Sequence, residues 1–243
     1  MIGPLRDEGG RLLYAVFVNA LGTLATMLKV LLVIASVCML VGCSSGVNAS
    51  STKADISKVA DVKSSFGSDF KVKDTPKRAI DPKFFSAHKL PPGLTFDPAE
   101  CAKVAVGPEM PLGLQGTMAA VSAEGAGNRF VVIAMETSQP LPSNDPGQRC
   151  SKVTFSGPKV EGSIEVVDAP HIDGIPTVGL HRVLRATNGS GRSAELYHYS
   201  AQFGDYGVIV TANPTMNPKE PAAPVDTQRA RDLLVKAVNA VRS

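Results

Sequence analysis

The sequence predicts an α+β domain: an antiparallel meander sheet of about six to seven strands, helices packed on one face, and one disulfide. Three observations predict it. Alternating and β-branched runs follow one another across residues 116–212 at hairpin spacing, with Gly, Asn and Ser between them. Helical apolar spacing stands before this block, from Asp55, and after it, from Asp226. Two cysteines, Cys101 and Cys150, remain for the domain once the N-terminal segment is set aside. A block of strands flanked by helices stacks the helices as a layer on an antiparallel sheet.

The N-terminal segment reads as an export signal. Met27-Leu28-Lys29 supplies a short basic start and residues 30–40 an apolar core, which Leu40-Val41-Gly42-Cys43 closes with a small residue before a cysteine. This order resembles the lipobox of bacterial lipoproteins, with residues 27–42 as the signal peptide and Cys43 as the acylated residue left at the new N-terminus. In residues 1–26 the charges of Arg6, Asp7, Glu8 and Arg11 cancel, so this stretch reads as an extension upstream of a start at Met27. The competing reading is an uncleaved transmembrane helix within residues 12–41, long enough for the ~20 residues that span a bilayer. Lys29 weighs against it, because a charge at a helix centre costs roughly 2.5 to 3.5 kcal/mol on insertion. Both readings place the remainder outside the cytoplasmic membrane. The first tethers it to the membrane's extracytoplasmic face through Cys43.

Residues 43–54 are small and polar and form a flexible tether; residues 55–243 form a single domain. Ile56, Val59, Ala60 and Val62 recur at helical spacing until Gly67, giving a short amphipathic helix. Phe70-Lys71-Val72-Lys73 alternates as a brief strand, after which Pro76, Pro82, Pro91 and Pro92 make the connection irregular. Asp97-Pro98-Ala99-Glu100 reads as a helix start, with Asp97 as cap, Pro98 in the first turn and Glu100 closing a capping box; the helix runs to about Val106. Strands follow at residues 117–123 and 129–137 around Glu124-Gly125-Ala126-Gly127, then at 151–155, 160–168, 177–187, 193–203 and 207–212. A proline-rich linker over residues 213–224 delivers the last helix. Asp226 caps it, and Leu233, Leu234, Ala237, Val238 and Val241 form one apolar stripe opposite Arg229, Asp232, Lys236 and Arg242.

A net charge of +3 with dispersed basic residues lacks the basic stripe of a nucleic-acid binder, so no nucleic acid is expected as a partner. Of four cysteines, Cys38 leaves with the signal and Cys43 takes lipid. In an oxidising compartment Cys101 and Cys150 pair most simply as a disulfide, with free or metal-binding thiols as the alternative. No CxxC spacing or neighbouring histidine supports a metal there, and no cofactor is expected.

The chain contains no nucleophile elbow, HExxH, phosphate loop or dinucleotide fingerprint, so catalysis is not expected. His171-Ile172-Asp173 can set two metal-competent groups on one side of a loop, against the blander reading of a solvated histidine. A more specific candidate is the strand pair around Asn188-Gly189-Ser190-Gly191. A two-residue turn at Gly189-Ser190 sets His181 opposite His198, Leu180 opposite Tyr199 and Arg182 opposite Tyr197. Two cross-strand imidazoles make a pH-sensitive patch or a two-ligand metal half-site, against the blander reading of two surface or groove-lining imidazoles without function. Moving the turn to Asn188-Gly189 sets His181 against Leu196 and dissolves the pair. The face with Val178, Leu180, Leu184, Tyr197, Tyr199, Ala201 and Phe203 is the expected core.

Asp81-Pro82-Lys83, the run Leu90-Pro91-Pro92-Gly93-Leu94-Thr95-Phe96-Asp97-Pro98-Ala99-Glu100-Cys101 and Val121-Ser122-Ala123, taken with the lipobox, resemble mycobacterial cell-envelope lipoproteins that carry an uncharacterised domain. More distantly, helices and an antiparallel sheet joined by a disulfide between an early helix and a strand are similar to extracellular sensor domains of mycobacterial serine/threonine kinases. That resemblance implies a cleft for a ligand. The expected function is a lipid-anchored membrane protein whose sensor-like domain binds a small molecule, a lipid or an envelope protein without catalysis. Its rivals are an envelope hydrolase with a loop nucleophile such as Ser190, and a structural or immunomodulatory surface lipoprotein.

Overall fold

The computed structural model describes residues 54–85, 92–187, 193–215 and 222–243. The expected signal peptide, Cys43, nearly all of the tether and Ser190 lie outside these residues.

The first element is the expected short helix, Ile56–Ser65, of 3-10 type. Asp55 caps it, its Oδ1 accepting from the Ser57 backbone N–H at 2.9 Å. The buried side chains Ile56, Val59 and Val62 recur every third residue, which is the 3-10 period and lines them along one edge. Strand β1 (Lys71–Ala79) follows, longer than the brief strand expected, and its pairing shifts register between Thr75 and Arg78. Pro76 explains the irregularity: it has no N–H for the ladder and is tolerated because β1 is an edge strand.

Strand β2 (Thr95–Asp97) is unannounced in the sequence. Asp97, expected as a helix cap, instead pairs with Thr154, and Pro98 takes the N-cap position without a side-chain hydrogen bond. The Asp97-Pro98 peptide is cis. The expected second helix shrinks to a 3-10 turn, Ala99–Cys101, and helix α1 (Ala102–Val106).

Strands β3 (Gly116–Gly125) and β4 (Asn128–Thr137) form the expected hairpin. Its two turn residues, Ala126 and Gly127, have φ of 48° and 72°, the type I′ geometry that suits strand twist. Then come β5 (Lys152–Ser156), β6 (Val160–Val167), β7 (Thr177–Ala186), β8 (Ser193–Phe203), β9 (Tyr206–Pro214) and helix α2 (Thr227–Arg242). Among the described residues nine strands, rather than six to seven, form one sheet in the order β1-β3-β4-β9-β8-β7-β6-β5-β2, every neighbouring pair antiparallel. Strands β5 to β9 are a meander, onto which β9 joins the β3–β4 hairpin.

Alternation along each strand divides the sheet into two faces. The first face contributes Val121, Phe130, Val132, Val208, Val210 and Tyr199 to one buried cluster, which also holds Ile56, Val59 and Val62 and the α2 stripe Leu233, Leu234, Ala237, Val238 and Val241. Asp226 caps α2 as expected, accepting from the Arg229 backbone N–H at 2.9 Å. Each fully buried leucine or valine is worth roughly 1.5–3 kcal/mol, so this layer dominates stability. Arg229 clips it at one end, with its Nη1 donating to the Ser65 carbonyl at 3.1 Å and its guanidinium 5.1 Å above the Phe70 ring. Away from this cluster, Cys101 and Cys150 form the expected disulfide, their Cα atoms 5.5 Å apart, and tie the approach to α1 to the start of β5. Among the described residues no helix is long and apolar enough to cross a membrane.

Candidate functional site

The β7–β8 register decides what the central strands present. Leu180 pairs with His198, His181 with Tyr197 and Arg182 with Leu196. This lies one residue away from each register that a two-residue turn allows, and a one-residue slip sends side chains to opposite faces. His181 and His198 therefore stand on opposite faces, and the expected pair does not form. The expected core face is split in the same way. Tyr199 and Ala201 join the helix-side cluster, whereas Val178, Leu180 and Leu184 belong to the second face with His198.

On the first face, His181 stacks on the Tyr197 ring at 4.2 Å between centroids and 13° between planes, and its Nε2 lies 2.8 Å from Glu195 Oε1. Burial raises the Tyr197 pKa, and the nearby Glu195 charge adds to the effect. Glu195 is the one hydrogen-bond partner of His181 among the described residues, which leaves the imidazole holding a carboxylate rather than activating a hydroxyl. His171 lies 3.0 Å from Asp173 in a loop where both are fully solvated. No group of three or more potential metal ligands occurs among the described residues.

The second face is different in character. Here β6 presents Gly162, Ile164 and Val166; β7 presents Val178, Leu180, Arg182 and Leu184; and β8 presents Leu196, His198 and Ser200. No aspartate or glutamate occupies this face of β6, β7 or β8. Arg182 is half-buried among Leu196 and Ile164, and burial lowers the pKa of its guanidinium. Its Nε is buried and has no hydrogen-bond partner among the described residues. A buried donor left unpaired costs roughly 1–3 kcal/mol, more when charged. Diagonal to it on the same face, burial together with the Arg182 charge pushes the His198 pKa down to about 4. Around them, Val166 and Leu184 remain exposed, at 37% and 40%. The sequence carries a signal for this site: Arg182 is the single cation within Val178, Leu180 and Leu184 at alternate positions. Only the correct register reveals that it faces no acid.

The model of a family defined by a domain of unknown function, DUF5642, matches residues 55–242. The chain belongs to the DUF5642 family. A solved structure similar to this DUF5642 chain is that of an uncharacterised Mycobacterium smegmatis protein, the Rv0999 ortholog. It is 53% identical, the match covers 79% of this chain and 98% of that one, and the TM-score is 0.73. The extracellular domain of PknH from Mycobacterium tuberculosis matches 79% of this chain and 93% of its own at 13% identity and a TM-score of 0.38, too loose a likeness to carry an argument. No curated protein matches.

His198 gives the DUF5642 domain a testable acid sensitivity. In the fold its pKa is pushed down to about 4, against the ordinary 6.5 of the unfolded chain. Between those values the unfolded chain binds the extra proton, so this contribution to stability is complete above pH 6.5 and is lost as pH falls towards 4. At about 1.4 kcal/mol per pH unit, the loss at pH 4.5 is about 2–3 kcal/mol. Urea unfolding at pH 7.5 and 4.5 should show the wild type losing that much more than His198→Gln. Parallel losses in the two proteins would contradict the assignment.

Proposed function

We propose that this DUF5642 chain is a lipid-anchored cell-envelope protein whose domain binds a ligand outside the cytoplasmic membrane and catalyses no reaction. The observation that carries this reading is the second face of the sheet, where the half-buried guanidinium of Arg182 faces no acid on β6, β7 or β8 and sits in an apolar surface partly open to solvent. Buried charges are ordinarily paired, and an anion bound on this face would pair this one. Anchorage is supported by Leu40-Val41-Gly42-Cys43 behind an apolar run and by a polar spacer before the domain.

Binding is tested by native mass spectrometry of the protein purified from its own envelope, with crosslinking of neighbours before extraction. A retained small molecule or a reproducible crosslinked partner is expected. An empty protein with no crosslinked neighbour would sink the binding reading. Anchorage is tested separately: mass spectrometry of the mature chain purified from its own membrane should find Cys43 as the acylated N-terminal residue. An unmodified Cys43 still preceded by the apolar segment would favour the uncleaved transmembrane helix instead.

A further inference from the structure

We infer that the second sheet face is a site for an anionic amphiphile of the fatty-acid class, its carboxylate held by Arg182 and its alkyl chain laid across the apolar rows beside it. The inference rests on the binding reading above and specifies the ligand. The headgroup follows from charge. Arg182 is the single cation on this face of β6, β7 and β8, and no acid on those strands neutralises it. His198 beside it is kept neutral by burial and by Arg182 itself, so the site offers one positive charge and a neutral imidazole with no hydrogen-bond partner among the described residues. One charge balances a carboxylate, whereas a phosphate dianion needs a second cation. The planar guanidinium also matches the two carboxylate oxygens in a bidentate pair.

The tail follows from what surrounds the headgroup. The row next to Arg182 runs Val131, Thr211, His198, Leu180 and Val166, and the row beyond it Ile133, Ile209, Ser200 and Val178. Leu180 and Ser200 in these rows are buried, so the accessible part is made by Val131, Ile133, Ile209 and Val178, which are half-buried, and by Val166 and Leu184, exposed at 37% and 40%. From β7 to β4 there are three strand spacings, about 14 Å of largely apolar surface leading away from the cation. The backbone N–H and C=O groups of these interior strands are used within the sheet. A peptide ligand therefore finds no backbone partners here, whereas an alkyl chain needs none.

The test uses the full chain in a neutral detergent with three photoreactive probes carrying a diazirine at the far end of a twelve-carbon chain: the carboxylic acid, its methyl ester and the alkyl phosphate. The acid should label peptides from β4, β6 or β9, at least tenfold more than the ester, and laurate should compete. Arg182→Gln should reduce labelling at least tenfold while remaining folded by circular dichroism. Should that variant not fold, Leu184→Glu decides the matter, because it adds a like charge at an exposed position beside the headgroup and should cut acid labelling several-fold. Equal labelling by acid and ester, preference for the phosphate, labelling confined to α2, or unchanged labelling in the variant that folds would each overturn the inference. If these probes fail while native mass spectrometry still finds a bound molecule, the fatty-acid assignment falls and the binding reading stands.

Discussion

Replacing Phe130 with alanine is expected to destabilise the domain by about 3–5 kcal/mol, the range for large-to-small changes in a packed core. Phe130 lies in β4, 1% exposed, at the junction of sheet, first 3-10 helix and C-terminal helix. Its ring stands 6.0 Å from Phe66 and 6.2 Å from Phe70, which are themselves 5.2 Å apart. Its cross-strand neighbours are Ala123 and Ala212, both almost fully buried and too small to fill the space left behind. Strand β4 is paired on both sides, so the backbone cannot collapse inward, and the cavity term adds to the lost transfer energy. The loss propagates to Arg229, which sits over Phe70 and holds the Ser65 carbonyl. Urea unfolding of Phe130→Ala beside Phe84→Ala is the measurement. Phe84 is 63% exposed, and its removal should stay within about 0.5 kcal/mol. A Phe130→Ala loss below about 1 kcal/mol would refute this account of the core.

The elements that were legible in the sequence are those whose signals are local and agree. Helix α2 has a cap, an apolar stripe and a polar face within sixteen residues, and Leu233, Leu234, Ala237, Val238 and Val241 are all buried where the spacing places them. The β3–β4 hairpin is set by its own turn. Elements made by distant partners were illegible. Strand β2 is three residues long and exists through pairing with β5, so the local capping pattern at Asp97-Pro98-Ala99-Glu100 pointed to a helix start instead. The first helix is legible as a helix but not in type, because Ile56, Val59 and Val62 satisfy both a period of three and a period of 3.6. The β7–β8 register is not legible locally, because it depends on how many residues lie in the connection and a shift of one exchanges the faces. A shift of one is the difference between a two-histidine pair and a face that presents Arg182 with His198. Once the register is known, the strand sequences alone show a cation facing no acid.

Removing the disulfide, by Cys101→Ser with Cys150→Ser, should cost about 4 kcal/mol for a closed loop of about 50 residues in the chain-entropy model. At roughly 2–4 °C per kcal/mol for a domain of this size, the melting temperature should fall by about 10 °C. The loss will not be spread evenly. Strand β2 meets β5 through three residue pairs at the far edge of the sheet, and β5 is itself five residues long. The disulfide fastens both from outside the helix-side cluster, with Cys101 just after β2 and Cys150 just before β5. Without it, this edge has the fewest buried contacts and opens first, while β4 and β9, paired on both sides and packed under α2, hold until global unfolding. Native-state hydrogen exchange separates the two elements of stability: the double variant should lose protection in β2 and β5 below that of β4 and β9, whereas Phe130→Ala should lower protection of the most stable amides. An unchanged melting temperature, or an equal loss of protection across all nine strands, would show that the bond does not carry this edge. The same experiment bears on the second face, because Val153 of β5 continues the row of Ile164 and Arg182. If the edge frays, the guanidinium gains water and the His198 pKa should rise towards its ordinary value, which a pH series on the double variant reads directly.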